Sequence, residues 1–179
     1  WRRGQGLEAA LKYFLLGALA AAFFLYGAAL FYGATGSLVL GTPGEGPLYA
    51  LALGLLLVGL GFKAALAPFH FWTPDVYQGS PSPMVAWMAS GVKVAGFAGL
   101  IRVFVLAFDA YSVDWQPMIA AVAVLTLIVG AVLAVVQTDV KRMMAYSSIN
   151  HAGWVLVGVQ VATAQGVQAA LFYLATYTF

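Results

Sequence analysis

Residues 61–93 read GFKAALAPFHFWTPDVYQGSPSPMVAWMASGVK, with Lys63 near one end and Lys93 at the other. Each lysine sits inside a run of apolar residues long enough to cross a bilayer. A charged ammonium group within the hydrocarbon layer costs about 3 kcal/mol or more. It is therefore retained only beside a polar or charged partner, in a water-filled cavity, or where it serves a function. The stretch therefore indicates a membrane protein that handles charge.

The composition indicates that the whole chain is membrane-embedded. Its 179 residues are 63% hydrophobic and 8% charged, with a mean hydropathy of +0.93, which lies outside the usual range of soluble domains. The absence of cysteine excludes disulfides, thiolate metal sites and cysteine-ligated clusters within this chain. The chain opens at Trp1 without a signal peptide and stops within the apolar run AALFYLATYTF, so we expect an internal fragment of a longer protein.

Glycine, proline and charged residues divide the sequence into about six stretches, each long enough to cross a membrane except the truncated last one. The sequence predicts an all-α fold, a polytopic transmembrane helix bundle that forms a single domain over residues 1–179. One helix should be broken or kinked by Pro68, because proline removes a backbone bond and clashes with the preceding turn. The predicted spans are 7–32, 48–68, 83–108, 117–136, 140–162 and 165–179, the last of them truncated.

The loop charges predict the orientation, because cytoplasmic loops retain lysine and arginine. If the helices alternate strictly, Arg2, Arg3, Lys141 and Arg142 lie on one face. The opposite face carries only acidic loop residues, namely Glu45, Asp109 and Asp114. We therefore predict that the Arg2/Arg3 and Lys141/Arg142 side is cytoplasmic.

Lys93 is the strongest candidate for proton transfer. It lies ten residues after Pro83, which at roughly 1.5 Å per residue places it about 15 Å deep, near the centre of the hydrocarbon layer. Neutralisation of an acid on a neighbouring helix is the structural alternative. Lys63 precedes Pro68 by five residues, so a broken helix would give it a polar cavity. Alternatively, Pro68 simply ends the helix and Lys63 extends to the interface.

Three further residues are possible relays or modulators. Glu8 and Lys12 are spaced i, i+4 with the acid first, which predicts an ion pair at the start of a helix and also permits modulation of the nearby lysines. His151 lies in the polar cluster AYSSINHAG, where histidine is the only residue type whose unperturbed pKa is near neutral. A relay of water and imidazole and plain hydrogen bonding between helices are equally good interpretations of His151, whereas the serines favour helix contacts.

Two long motifs carry a family resemblance. Residues 61–102, beginning GFKAALAPFHFWTPDVYQG, and residues 138–158, TDVKRMMAYSSINHAGWVLVG, resemble the antiporter-like, Mrp-related membrane subunits of the proton-pumping NADH:quinone oxidoreductase, respiratory complex I. The run WTPDVYQG and the first helix, LKYFLLGALAAAFFLYGAALFYG, point to one particular subunit of that family. The similarity covers nearly the whole chain.

The resemblance implies a fold of inverted five-helix repeats, each with a broken helix. It further implies that Lys63 is the lysine of the first broken helix, that Lys93 is the central lysine of the next helix, and that Lys12 matches another basic position. A glutamate upstream and a broken-helix lysine downstream would complete the proton path. Glu8 is not that glutamate, whose motif lies upstream of LEAALKYF.

The resemblance also implies the cofactors, partners and location. No cofactor is expected in this chain, whereas FMN, iron–sulfur clusters and quinone would be held by other subunits. Expected partners are the other membrane subunits of complex I, above all the neighbouring antiporter-like ones, and the lipid bilayer, with no nucleic acid. The membrane would be the bacterial cytoplasmic membrane.

Two alternatives of other classes stay open. A free-standing cation/proton antiporter would need the same buried lysines. A haem-binding membrane anchor would use His70 and His151 as axial ligands, although the two histidines should sit at different depths.

Overall fold

Helices make up nearly all of the described chain. The computed structural model describes residues 3–178, and no β-strand occurs in that range, so the predicted all-α class is confirmed. Its α-helices are α1 (Arg3–Thr35), α2 (Gly46–Ala64), α3 (Trp72–Gly79), α4 (Ser82–Trp87), α5 (Lys93–Leu100), α6 (Ser112–Val135), α7 (Val140–Gln160) and α8 (Ala164–Thr178).

Four helical stretches are long and apolar enough to cross a membrane, consistent with a polytopic bundle. The spans predicted at 140–162 and 165–179 coincide with α7 and α8, which remain predictions as spans. The helix α7 carries Lys141, Arg142 and the polar cluster, and α8 has 15 residues. The four stretches are Gly4–Thr35, Gly46–Ala64, Ser82–Ala107 and Asp109–Val135.

The predicted break after α2 is present, and α2 ends at Ala64 rather than at Pro68. Ala65 adopts the left-handed conformation with φ of 59°, and Leu66 N donates to Gly61 O at 2.9 Å, which together form a Schellman-type helix end. Pro68 accounts for the position, because a proline ring clashes with the carbonyl four residues earlier, which is that of Ala64. The break therefore begins at Ala65, two residues after Lys63.

The span Ser82–Ala107 is continuous, but its winding changes twice. Five residues in π-helical conformation, Met88–Val92, separate α4 from α5, and Ile101–Ala107 form a second π-helical stretch. Such widened turns are rare and occur often at functional sites. Lys93 is the first residue of α5, directly after the first of them. The sequence did not predict these turns.

Buried side chains form two cores. The larger core joins α1, α2, α5, α6, α7 and α8, and the smaller one joins α1, α2, α3 and α7. Small residues permit the close helix contacts that packing in lipid requires. At Gly130 of α6, an added Cβ would lie 2.6 Å from the backbone nitrogen of Asn150 in α7, so only glycine fits there. This contact fixes α7 and its polar cluster against α6.

Candidate functional site

Lys93 is buried inside the bundle and has two acceptors on one residue. Its side chain is only 3% exposed, and Nζ donates to Ser148 Oγ at 2.5 Å and to Ser148 O. The aromatic ring of Tyr177 lies 5.9 Å from Nζ. These contacts join α5 to α7 and lower the cost of an ammonium group at this depth. No carboxylate within residues 3–178 lies within ion-pair distance of Lys93.

Lys63 has very different surroundings. Its side chain is exposed, and Nζ lies 6.0 Å from the ring centre of Tyr13 and 5.9 Å from that of Phe62. In the range 3–178, Lys63 makes no side-chain hydrogen bond or ion pair. Lys63 borders a cleft of about 410 Å³, which is lined by Leu60, Lys63, Trp87, Gly91, Val92, Ala95 and Gly96.

Lys12 lies between two acids. The predicted pair with Glu8 is present at 2.6 Å, and Lys12 Nζ also donates to Asp75 Oδ2 of α3 at 2.5 Å. Asp75 is shared in turn, because its Oδ1 accepts from Arg142 Nη1 of α7 at 2.5 Å. Asp75 and Arg142 were not predicted as site residues. The cluster therefore runs as an alternating series of charges across α1, α3 and α7.

Further polar groups extend this cluster at the start of α7. Arg142 Nη1 donates to Gln78 Oε1 at 3.1 Å, and Gln78 Nε2 donates to Asp139 Oδ2 at 3.2 Å. Asp139 caps α7 by accepting from the backbone N–H of Arg142 at 3.0 Å. A cavity of about 170 Å³ borders the cluster, and it is lined by Gln5, Glu8, Ala9, Asp75, Gln78, Gly79 and Arg142.

Two carboxylates outside the four spanning stretches have perturbed acidities. Burial by itself would raise the pKa of Asp75, but hydrogen bonds and charge from Lys12 and Arg142 hold that pKa below its usual range. The hydrogen bond from the Arg142 backbone N–H is the main cause that lowers the pKa of Asp139. Both groups are therefore held as carboxylates near neutral pH.

His151 faces α8 rather than Lys93. Its Nδ1 lies 2.7 Å from Tyr173 Oη, and its ring centre lies 4.8 Å from that of Tyr177. Asn150 Nδ2, from the same polar cluster, donates to Leu127 O of α6 at 2.9 Å. Tyr177, near both His151 and Lys93, is the residue through which the two positions approach each other.

Buried polar atoms without hydrogen-bond partners lie in α3 and in the turn before it. His70 Nδ1, Thr73 Oγ1 and Tyr77 Oη are inaccessible and have no hydrogen-bond partner within residues 3–178. Positions 70, 73 and 77 recur at the spacing that places side chains along one helical face. Buried polar groups of this kind are ordinarily satisfied by ordered water.

A family model described as "NADH:quinone oxidoreductase/Mrp antiporter, TM" matches residues 1–179. The chain belongs to this family. Membership confirms the resemblance that the sequence motifs carry and the antiporter-like architecture of the membrane domain.

Individual members of this family are similar to the chain in sequence. Over 177 residues the chain is 65% identical to NADH-quinone oxidoreductase subunit 14 of Thermus thermophilus, covering 99% of this chain and 39% of the relative. It is 55% identical to NADH-quinone oxidoreductase subunit N of Parafrankia sp., covering 99% and 35%. The chain thus spans just over a third of the length of these relatives. The predicted likeness to one particular subunit, subunit N, is confirmed.

Solved structures of the family share the fold. A chain of respiratory complex I from Thermus thermophilus with bound Aureothin superposes with a TM-score of 0.86 at 66% identity, covering 99% of this chain and 39% of that one. A chain of the Mrp complex from Dietzia sp. superposes with a TM-score of 0.88 at 26% identity, covering 97% and 33%. Both complexes therefore contain the helix arrangement described above.

The structure brings together some of the predicted site residues and leaves others apart. Glu8 and Lys12 form the expected pair, and Lys63 lies in different surroundings from Lys93. Lys93 and His151 do not bond to each other, although both lie near Tyr177. Ser148 was seen in the sequence only as a helix contact, although it is the direct partner of Lys93. The sequence signal that could have pointed to Asp75 is its position as the acid within the motif WTPDVYQG. Arg2 and the side chain of Arg3 lie outside the described residues, so the predicted cytoplasmic side is not tested there.

Proposed function

We propose that this chain is the central membrane portion of a proton-translocating subunit of NADH:quinone oxidoreductase. It would move protons across the membrane through Lys63 and Lys93 while other subunits pass electrons from NADH to a quinone. The observation that carries the proposal is Lys93, which is 3% exposed and bonded to Ser148 within a chain of this family. An amine kept at such depth is rarely retained for packing alone.

The mechanism is electrostatic gating of the two lysines. A charge displaced in a neighbouring subunit changes the ion pairing of Lys63, and the proton then equilibrates with Lys93 through ordered water. The open surroundings of Lys63 support this role, because a residue that exchanges partners needs space and access. Pro68 contributes by ending α2 one residue after Lys63. Lys12, Glu8 and His151 act as modulators or relays.

The partners would be the other membrane subunits of the complex, above all the neighbouring antiporter-like ones, together with lipid. The membrane would be the bacterial cytoplasmic membrane, with Arg2/Arg3 and Lys141/Arg142 on the cytoplasmic side. This orientation is supported by Arg142 and Lys141 lying at the same end of the bundle as the start of α1, where Arg142 joins the cluster of Glu8 and Lys12. No cofactor is proposed in this chain; FMN, iron–sulfur clusters and quinone belong to other subunits.

A cation/proton antiporter of the Mrp type is the second candidate. The TM-score of 0.88 with a chain of the Dietzia Mrp complex favours it, because the same helix arrangement occurs there. The identity of 26% to that chain, against 65% to the Thermus subunit, ranks it second. The haem-anchor alternative is not proposed, since His151 bonds to Tyr173 and His70 is buried beside the break.

The deciding experiment uses the full-length protein in its native membranes. Lys63→Ala is expected to depress both NADH-driven proton uptake and coupled quinone reduction, and the protein should co-purify with hydrophilic redox subunits. A wild-type proton-to-electron ratio in the variant would remove Lys63 from the mechanism. Sodium or potassium exchange for protons by the isolated protein in liposomes, without any redox partner, would favour the Mrp alternative.

A further inference from the structure

The short helix α3 has one carboxylate at its centre, Asp75, which bonds to two neighbouring helices. Asp75 accepts from Lys12 of α1 and from Arg142 of α7, with both contacts at 2.5 Å. An isolated helix of eight residues is far too short to be stable, so the position of α3 depends on its contacts. Asp75 therefore links three helices through charge-assisted hydrogen bonds, which are stronger than neutral ones.

The buried side of α3 packs on the helix that holds the acceptors of Lys93. Val76 and Tyr77 of α3 belong to the same core as Ala145 and Ile149 of α7. Ile149 directly follows Ser148, whose hydroxyl and carbonyl accept from Lys93. Because close-packed contacts leave little slack, a shift of α3 must alter the surroundings of Ser148.

Besides the core packing of Val76 and Tyr77, hydrogen bonds from other side chains fix the two ends of α3. Trp72 Nε1 donates to Phe62 O of α2 at 3.2 Å and anchors the start of α3. Gln78 bonds to Arg142 and Asp139 near its end. Among the side chains that the structure describes, the bond from Lys12 to Asp75 is the one that ties α3 to α1 by charge.

At this end of the bundle, acids and bases share their ion-pair partners, so the pairs compete with one another. Lys12 has two acids, Glu8 at 2.6 Å and Asp75 at 2.5 Å, while Asp75 has two bases, Lys12 and Arg142. If Lys12 moves toward Glu8, Asp75 loses its bond to Lys12 and retains only the bond to Arg142. The electrostatic attraction on α3 then comes from α7 and no longer from α1. A change of charge near Lys12 can therefore displace α3 without any contact between Lys12 and Lys93.

We propose that Asp75 is a positioning residue that, shared between Lys12 and Arg142, sets how α3 packs on α7 and thereby the surroundings of Lys93. The inference rests on the proposed function, because it assumes that Lys93 carries the proton. It adds a route by which charge on α1 reaches Lys93 through movement of a short helix.

The position of α3 can be measured with one engineered thiol, because the chain has no cysteine. Val76 is 3% exposed on α3, so Val76→Cys in the intact complex should react slowly with N-ethylmaleimide. In that background, Asp75→Asn is expected to raise the labelling rate of residue 76 by about ten-fold and to lower the proton-to-electron ratio. Asp75→Glu keeps the charge and should restore both values to within about two-fold. Glu45→Gln, an exposed acid at the opposite end, is the matched control.

Each outcome bears on the proposal. Faster labelling together with a lower ratio in Asp75→Asn, and rescue of both in Asp75→Glu, supports it. Wild-type labelling in Asp75→Asn overturns it, even if pumping is lost, because Asp75 would then act without moving α3. Faster labelling with a wild-type ratio also overturns it, because the position of α3 would not matter for pumping.

A second variant covers a failure of Asp75→Asn to assemble. Arg142→Gln removes one of the two cations and should raise labelling by a few-fold; an unchanged labelling rate in Arg142→Gln overturns the proposal. The proposed function is tested separately by Lys93→Ala in the same background. If Lys93→Ala pumps normally, the proposed function fails, whereas the labelling result for Asp75 still reports on the position of α3.

Discussion

Lys63 and Lys93 lie on neighbouring, contacting helices and have the same predicted task, but their surroundings are opposite. Lys93 is buried and has both its hydrogen-bond acceptors on α7. Lys63 is exposed at the end of α2, and its ammonium group lies about 6 Å from the rings of Tyr13 and Phe62. The difference indicates that the two lysines have different roles. In the proposed mechanism, Lys93 is a buried proton carrier with fixed hydrogen-bond partners, and Lys63 is a residue that changes partners.

The largest expected effect comes from reversing the charge at each lysine. Lys93→Glu would place a carboxylate against the Ser148 carbonyl in a buried site, and an uncompensated buried charge costs about 3 to 5 kcal/mol. We expect Lys93→Glu to reduce strongly the amount of the subunit in purified complex, whereas Lys63→Glu should leave more of it assembled. The check is quantitative mass spectrometry of the purified complex. Equal losses in the two variants would break the comparison.

Trp72→Phe should have the next largest effect, and it acts on the break beside Lys63. The substitution removes the bond from Nε1 to Phe62 O and leaves a cavity at a side chain that is 2% exposed. We expect a loss of about 2 to 3 kcal/mol of stability at this site. The measurement is the rate of limited proteolysis near the break. Trp154→Phe, at 53% exposure, is the control and should behave as wild type.

Ser148→Ala sharpens the account of the interior lysine. It removes the hydroxyl acceptor of Lys93 but keeps the backbone carbonyl, so about 1 to 2 kcal/mol should be lost. Ser147→Ala is the matched control, because Ser147 makes no side-chain hydrogen bond in residues 3–178. Thermal unfolding of the purified complex provides the check, and identical melting curves for the two variants would contradict the assigned contact.

The smallest effect concerns pH at the Asp75 cluster. The pKa of Asp75 is held below its usual range, so its stabilising contribution is fully present above about pH 4 and is lost as pH falls through the lowered pKa. Acidification should therefore destabilise the wild type more than Asp75→Asn. The test is the melting temperature of both proteins as pH falls below about 4. Parallel curves of melting temperature against pH would refute the stabilising role of the Asp75 carboxylate.

The sequence predicted the helical class, the family and the Glu8–Lys12 pair well, because composition and local spacing determine them. It placed the helix break only approximately, since the Schellman-type end at Ala65 depends on backbone conformation that the residue type does not reveal. Asp75 and Ser148 were missed as partners for a different reason. Their bonds join residues 63 and 55 positions apart in the chain, and only the packed helices bring them together.

The role of Lys93 can be decided by the proton-to-electron ratio of the Lys93→Ala complex, reconstituted in liposomes and driven by NADH. We expect a ratio below that of the wild type, together with slower coupled quinone reduction, because the buried amine that would carry the proton is lost. A wild-type ratio at an unchanged rate in a fully assembled Lys93→Ala complex would contradict the assignment of proton transfer to Lys93.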